Sequence, residues 1–137
     1  MKLLATLLLS CSAIAAQSAT DLRTRYGQPI SETFRARPDV EMTVTYGKTG
    51  TACIFVLEPV YAYLGAVKLD ETDTFIKMSV VNEIFDQLVP KNARGSLVSG
   101  PRHGHTEWLY KNVLLIVDGN MDRARRAAIA FQGAPCK

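Results

Sequence analysis

The stretch VEMTVTYGKTGTACIFVL, residues 40–57, has the clearest structural pattern in the chain. Val40 and every second residue up to Tyr46 are apolar, with polar residues between them, which predicts a strand with one buried face. The Gly-Lys-Thr-Gly of residues 47–50 then predicts a hairpin turn. The nearly all-apolar run from Ala52 to Leu57 predicts a central strand covered on both faces.

The pattern extends in both directions from this hairpin. Upstream, Ser31 to Arg37 predicts a strand, and a brief helix capped by Thr20 precedes it. Downstream, the apolar period changes from two to that of a helix, which predicts the main amphipathic helix over Phe75–Val89. Five apolar residues form its predicted buried face: Met78, Val81, Ile84, Phe85 and Leu88.

The C-terminal third is rich in β-branched and aromatic residues. A short strand is predicted near residues 96–99, a long strand from Trp108 to Val117, and a last strand around Ala127 to Phe131. Helix propensity alone favours a helix over Ala124–Ala130, but the preceding turn signal favours a hairpin. We therefore expect an α+β fold: an antiparallel sheet of four to six strands with one main amphipathic helix packed on it.

The N-terminus is typical of a secretory signal peptide. Lys2 precedes a leucine-rich run, and Ala13-Ile14-Ala15 offers a small-x-small cleavage site. The apolar stretch is shorter than the roughly 20 residues of a membrane-spanning helix, although an uncleaved anchor and lipid modification of Cys11 are alternatives. We expect a signal peptide over residues 1–19, cleavage near Ala15 or Ala16, a single α+β domain over 20–137, and a periplasmic or secreted location with no integral membrane segment after cleavage.

Charge gives no reason to expect a polyanionic partner. The formal net charge is +3 over 137 residues and becomes +2 once Lys2 is removed. This excess is too small to favour nucleic acid or anionic lipid. A basic group at Arg123, Arg125 and Arg126 could contact an acidic partner, but it is more typical of a solvated turn or strand edge.

Two cysteines, Cys53 and Cys136, follow the predicted leader. In an oxidising compartment an even pair in a small domain usually forms a disulfide. A redox-active pair is the alternative, but redox motifs generally place two residues between their cysteines. We expect a structural Cys53–Cys136 disulfide that joins the middle of the sheet to the tail.

One set of residues has the chemistry of a metal site. In an extended segment His103, His105 and Glu107 would project to one face, and two imidazoles with a carboxylate suit iron(II) or zinc. Two solvated histidines in a glycine-containing loop are the alternative. The acidic residues between Asp70 and Asp73 lack the turn glycine and terminal glutamate of a calcium loop.

No hydrolase motif or glycine-rich phosphate loop is present in the sequence, so no catalytic residue and no cofactor is predicted. Four aromatic residues could serve binding or core packing, and core packing is favoured for the two on one strand. These four are Trp108, Tyr110, Tyr61 and Tyr63.

Two resemblances involve longer parts of the chain. The helix, Gly-x-Pro stop and strands from Asp21 onward resemble small exported helix-plus-meander domains, as in outer-membrane assembly lipoproteins and secreted β-lactamase inhibitor proteins. The chain is also similar to uncharacterised secreted bacterial proteins that combine Tyr-Gly-x-Pro, Val-Pro-x-x-x-Arg-Gly and a terminal cysteine. Here these are Tyr26–Pro29, Val89–Gly95 and Cys136. The second resemblance implies export and a shared fold, and no site residues.

For function, we expect a non-enzymatic binding or envelope-interaction module that uses a face or an edge of its sheet, with an unknown protein or envelope partner. The alternative is a metal-binding protein or metal-dependent enzyme that uses His103, His105 and Glu107. A purely structural envelope protein is a third possibility.

Overall fold

The computed structural model of the chain describes residues 18–60, 75–101 and 106–133. These segments form an antiparallel sheet of eight strands with three short helices. None of these helices is long and apolar enough to cross a bilayer. In chain order the elements are α1 (Ala19–Tyr26), β1 (Ser31–Arg37), β2 (Val40–Tyr46), β3 (Ala52–Pro59), β4 (Ile76–Lys77), α2 (Met78–Leu88), α3 (Lys91–Arg94), β5 (Leu97–Ser99), β6 (Thr106–Tyr110), β7 (Val113–Gly119) and β8 (Arg123–Phe131).

The sheet joins two antiparallel meanders. Its strand order is β1-β2-β3-β8-β7-β6-β5, so β3 and β8 meet near the centre. The short strand β4 also pairs with β8: Ile76 lies opposite Ala124, while Leu57 of β3 lies opposite Ala127. β4 therefore continues the position of β3 along β8.

The expectation of four to six strands is wrong, because one predicted strand is two and β4 forms where a helix was predicted. Residues 108–117 contain a two-residue connection, Lys111-Asn112, which separates β6 from β7 and brings Leu109 opposite Leu114. The side-chain amide of Asn112 donates to the Ala93 carbonyl at 2.9 Å and holds the connection against α3. Since asparagine favours turns, it was the only local signal of this break in a β-rich run.

The expectation of one main helix is also wrong, because the described segments are mostly antiparallel sheet with small helices. Residues 75–89 were predicted as helix, but α2 has eleven residues, Met78–Leu88. Ile76 and Lys77 instead form β4, because their backbones pair with Ala124 and Arg123 of β8. The amphipathic pattern itself is present in α2, where Met78, Val81, Ile84 and Phe85 are buried.

The core lies between α2 and one face of the sheet, here named the inner face. Strand β3 was expected to be covered on both faces, yet only one side has buried residues between 53 and 57. Cys53 and Leu57 on that side are buried and Phe55 is half-buried, while Ile54 and Val56 on the opposite side are both half-buried. The prediction was wrong because an apolar run does not reveal how many faces a strand has covered. The buried inner-face residues of the sheet within the core cluster are Val40, Leu57, Ile76, Val113, Leu115, Val117, Ala124, Ala127 and Ile129.

A bulge in β8 allows alanines three residues apart to enter this core. The pairing register shifts between Asp118 and Gly119, and Ala124 and Ala127 are both fully buried. Gly119 has φ of +156°, and a Cβ there would lie 2.3 Å from the Arg123 carbonyl oxygen. The bulge thus needs glycine at this position.

Helix α1 begins earlier than expected. Its N-cap is Ser18 rather than Thr20: Oγ of Ser18 accepts from the Asp21 backbone, and Asp21 accepts from the Ser18 backbone, both at 3.1 Å. This capping box satisfies two backbone donors at the helix start. No residue of α1 is buried.

Candidate functional site: the outer face of the sheet

The register of the strands gives the sheet a second face, here named the outer face, opposite α2. Directly paired residues share a face, so each row of pairs can be followed from strand to strand. Two complete rows cross the outer face. The first row is Thr33, Thr43, Val56, Ala128, Ile116 and Glu107, and the second is Ser31, Thr45, Ile54, Ala130, Leu114 and Leu109.

The middle of these two rows is apolar, and we call it the outer apolar strip. It consists of Ile54 and Val56 on β3, Ala128 and Ala130 on β8, Leu114 and Ile116 on β7, and Leu109 on β6. Ile116 is 44% exposed, and the others are half-buried. In the described part of the chain no helix contributes a buried side chain to this face, because the buried residues of α2 belong to the inner core.

The β1 and β2 side of the outer face is polar. Thr33 and Thr43 lie opposite each other with their hydroxyl oxygens 3.1 Å apart. Ser31 and Thr45 form the next pair along the same two strands. These hydroxyls mark one boundary of the outer apolar strip.

Charged residues mark a second boundary, at one end of the strands. Arg35 contacts Glu41 at 3.3 Å, and Arg126 contacts Glu58 at 3.4 Å. All four side chains are about half-exposed, so these ion pairs contribute little to stability, of the order of 0–1 kcal/mol each. Asp118 lies opposite Arg126 on the next strand.

Of the predicted metal residues, the structure describes only Glu107. It lies on β6, exposed, directly opposite Ile116 at the margin of the outer apolar strip. His103 and His105 lie outside the described residues. Residues 18–60, 75–101 and 106–133 contain no group of three His, Cys, Asp or Glu side chains that could hold a metal ion.

The described residues also include a buried cation that sequence reasoning did not single out, Arg94. Only 7% of it is exposed. Its Nε donates to the Val89 carbonyl at 2.8 Å, its Nη2 pairs with Asp86, and its guanidinium lies 3.9 Å from the Phe85 ring centroid and 5.7 Å from that of Tyr110. These contacts fasten the end of α2 to β6.

Arg94 accounts for the Val-Pro-x-x-x-Arg-Gly motif. The motif places the carbonyl of Val89 within reach of Arg94, and Gly95 follows with φ of +75°. A Cβ on Gly95 would lie 2.8 Å from Cβ of Lys111. The motif is therefore a structural device that turns the chain from α2 into β5.

A second polar cluster ties α1 to the sheet. Arg23 forms an ion pair with Glu32 of β1, and the Tyr46 hydroxyl donates to Oε2 of Glu32 at 2.8 Å. The hydrogen bond from Tyr46, together with Arg23, lowers the pKa of Glu32, and the same hydrogen bond raises the pKa of Tyr46. Because α1 buries no side chain, this cluster is a principal contact of α1 with the sheet.

Two other groups named from the sequence, an aromatic group and a basic group, lie at least in part among the described residues. Trp108 and Tyr110 are half-buried against the core, whereas Tyr61 and Tyr63 lie outside the described residues. Arg123 and Arg125 lie over the ring of Phe75, at 5.3 and 5.5 Å from its centroid.

Cys53 is on the inner face and is buried, with Sγ 3.4 Å from the Thr45 carbonyl oxygen. Its neighbour Ile54 pairs with Ala130 of β8, the residue before Phe131. Cys136 follows Phe131 by five residues and, like the acidic segment around Asp70, lies outside the described residues. The Cys53–Cys136 disulfide therefore stays a prediction, as do the signal peptide and its cleavage.

No protein-family model, curated protein or solved structure matches the chain. The resemblances drawn from the sequence also stay predictions.

Proposed function

We propose that the protein is an exported, non-enzymatic binding module whose working surface is the outer apolar strip. Single exposed apolar residues are ordinary, and a contiguous apolar patch of a few hundred Å² on a folded domain is often functional. Here seven apolar residues on four adjacent strands form one patch, with threonines on one side and charges at one end. A polar border around an apolar centre is the usual anatomy of a protein–protein interface.

Export is part of the proposal and is supported by the leader-like N-terminus. In the periplasm or outside the cell, the partner would be an envelope or secreted protein. The absence of hydrolase and phosphate-loop motifs from the sequence supports a binding role over catalysis.

Site-specific photo-crosslinking in the native cell tests the proposal. A benzoyl-phenylalanine at Ile116 would lie in the strip, where the parent side chain is 44% exposed. The matched control is the same probe at Asn82, an exposed position of α2 on the opposite side of the sheet. We expect a discrete crosslinked protein from position 116 and none from position 82. Absence of a product at position 116, or equal products at both positions, would contradict the proposal.

A further inference from the structure

The strand β8 carries alanines on both of its faces. Ala124 and Ala127 are fully buried on the inner face, in the same core as the buried side chains of α2. Ala128 and Ala130 take the same place on the outer face, and no described helix covers them. The alanines of β8 on the inner face thus form a flat surface, here called an alanine floor, on which α2 packs. A second alanine floor lies on the outer face.

Larger side chains form walls along this second floor. Ile54 and Val56 of β3 lie on one side, and Leu114 and Ile116 of β7 lie on the other. Neighbouring strands are about 4.8 Å apart, so the backbones of β3 and β7 lie about 10 Å apart. An α-helix with its side chains is ~10–12 Å wide, so a helix lying along β8 would contact both walls. The floor and the walls together form a shallow groove along β8.

Its area argues against a second copy of this chain as the occupant. The strip spans four strands and two rows, roughly 19 by 14 Å or about 270 Å². This is about a third of the ~800 Å² that each partner contributes to a standard interface. A helix of about nine residues is ~14 Å long and matches the groove.

The charged residues beside the groove indicate which type of side chain a bound helix would carry. Glu107 borders Ile116, and Asp118 lies further along β7; both are exposed. Among the described residues neither carboxylate has an ion pair. Arg126 of β8 lies opposite Asp118, and its side chain contacts Glu58 at 3.4 Å. The β6–β7 side of the groove is thus acidic and favours basic residues on its occupant.

From these observations we propose that the outer groove over Ala128 and Ala130 binds an amphipathic helix of another protein, with its apolar face against β8 and basic residues toward Glu107 and Asp118. This inference rests on the proposed function and names the class of partner.

The test uses a defined probe in place of the native partner. The probe is a synthetic 14-residue peptide with Leu and Ala on one helical face and Lys on the other. Two control peptides keep its length: one replaces Lys by Glu, and one scrambles the same composition. Affinity is measured by fluorescence anisotropy, and the site is mapped by methyl NMR on the full mature chain.

We expect the lysine peptide to bind best and to shift the methyl signals of Ile54, Val56, Leu114 and Ile116. Ala128→Lys should weaken its binding by about tenfold or more, because it places a charge on the floor of the groove. Thr33→Lys is the matched control in the same row but on the polar side, and it should change affinity by less than about twofold. If Ala128→Lys impairs folding, Ile116→Lys at the more exposed wall provides the same test.

Equal binding of the scrambled peptide, methyl shifts outside the groove, or unchanged affinity in Ala128→Lys and Ile116→Lys would overturn the inference. A concentration-dependent dimer in sedimentation, lost in Ile116→Lys, would also overturn it, in favour of a second copy. If crosslinks form from position 116 in cells but the peptide fails, the helical occupant is wrong and the proposed function stands. If no crosslinks form at all, the proposed function itself fails.

Discussion

Replacing Arg94 by alanine tests how α2 is fastened to the sheet. The change removes the hydrogen bond from Nε to the Val89 carbonyl and the guanidinium that lies 3.9 Å from the Phe85 ring centroid. A hydrogen bond to a charged group contributes about 1.5–3 kcal/mol, and a desolvated cation–π contact about 2 kcal/mol. The pair with Asp86 adds less than about 1 kcal/mol, because 52% of that carboxylate side chain is exposed.

These contributions overlap, so we expect Arg94→Ala to lower the free energy of unfolding by about 3–4 kcal/mol. For a domain of this size that corresponds to a fall in Tm of about 10–15 °C. Urea unfolding followed by circular dichroism measures the loss, and Asp86→Ala is the matched control, expected to cost less than about 1 kcal/mol. A loss below about 1 kcal/mol in Arg94→Ala, or equal losses in both variants, would refute the reasoning.

Further predictions concern pH, packing, metal and processing. The lowered pKa of Glu32 means that its contact with Tyr46 and Arg23 stabilises the fold above pH 4.5, and this stabilisation is lost as the pH falls through the folded-state pKa. Tyr46→Phe should therefore flatten the dependence of Tm on pH in this range. An unchanged profile would exclude this role of the cluster. Ile84→Asp should unfold the domain, because it buries a charge under α2, and a parental melting curve would rule out the packing described for α2. Elemental analysis should find no stoichiometric metal; metal that disappears in the His103→Ala/His105→Ala double variant would instead establish the alternative function. Intact-mass analysis of natively expressed protein should show loss of the leader by cleavage near Ala15 or Ala16, and no thiol that alkylates without prior reduction. A product that keeps Met1, or two reactive thiols, would count against export and the disulfide.

The predictions from sequence match the structure where a local pattern of apolar residues is compatible with only one type of element. The period-two alternation from Val40 to Tyr46 and the helical spacing of Met78, Val81, Ile84 and Phe85 match the elements that form there. Both patterns arise from burial on one side of an element, and that burial occurs in the structure.

The elements that the sequence predicted wrongly depend on strand pairing, which a local sequence pattern does not contain. Ile76 and Lys77 continue the apolar pattern of α2 but become a strand, because β8 supplies partners for their backbones. Ala124 and Ala127 have helical spacing and high helix propensity, yet a bulge brings both into the core.

The outer groove could not be predicted from the sequence either, again because a local pattern does not contain the strand pairing. Ile54 and Val56 belong to an apolar run that is equally consistent with one covered face or two. Only the register across β3, β8 and β7 shows that they share one face with Ala128 and Ile116.

The proposed function requires that the outer apolar strip be open to solvent and to partners. Methyl NMR of the purified mature protein in the presence of a soluble gadolinium chelate measures this directly, because the chelate broadens signals that it can approach. We expect strong broadening at Ile54, Val56, Leu114 and Ile116, and protection at the inner-face residues Leu57, Leu115 and Ile129. Equal protection of the two sets would show that the outer face is covered and would rule out the outer apolar strip as a binding surface.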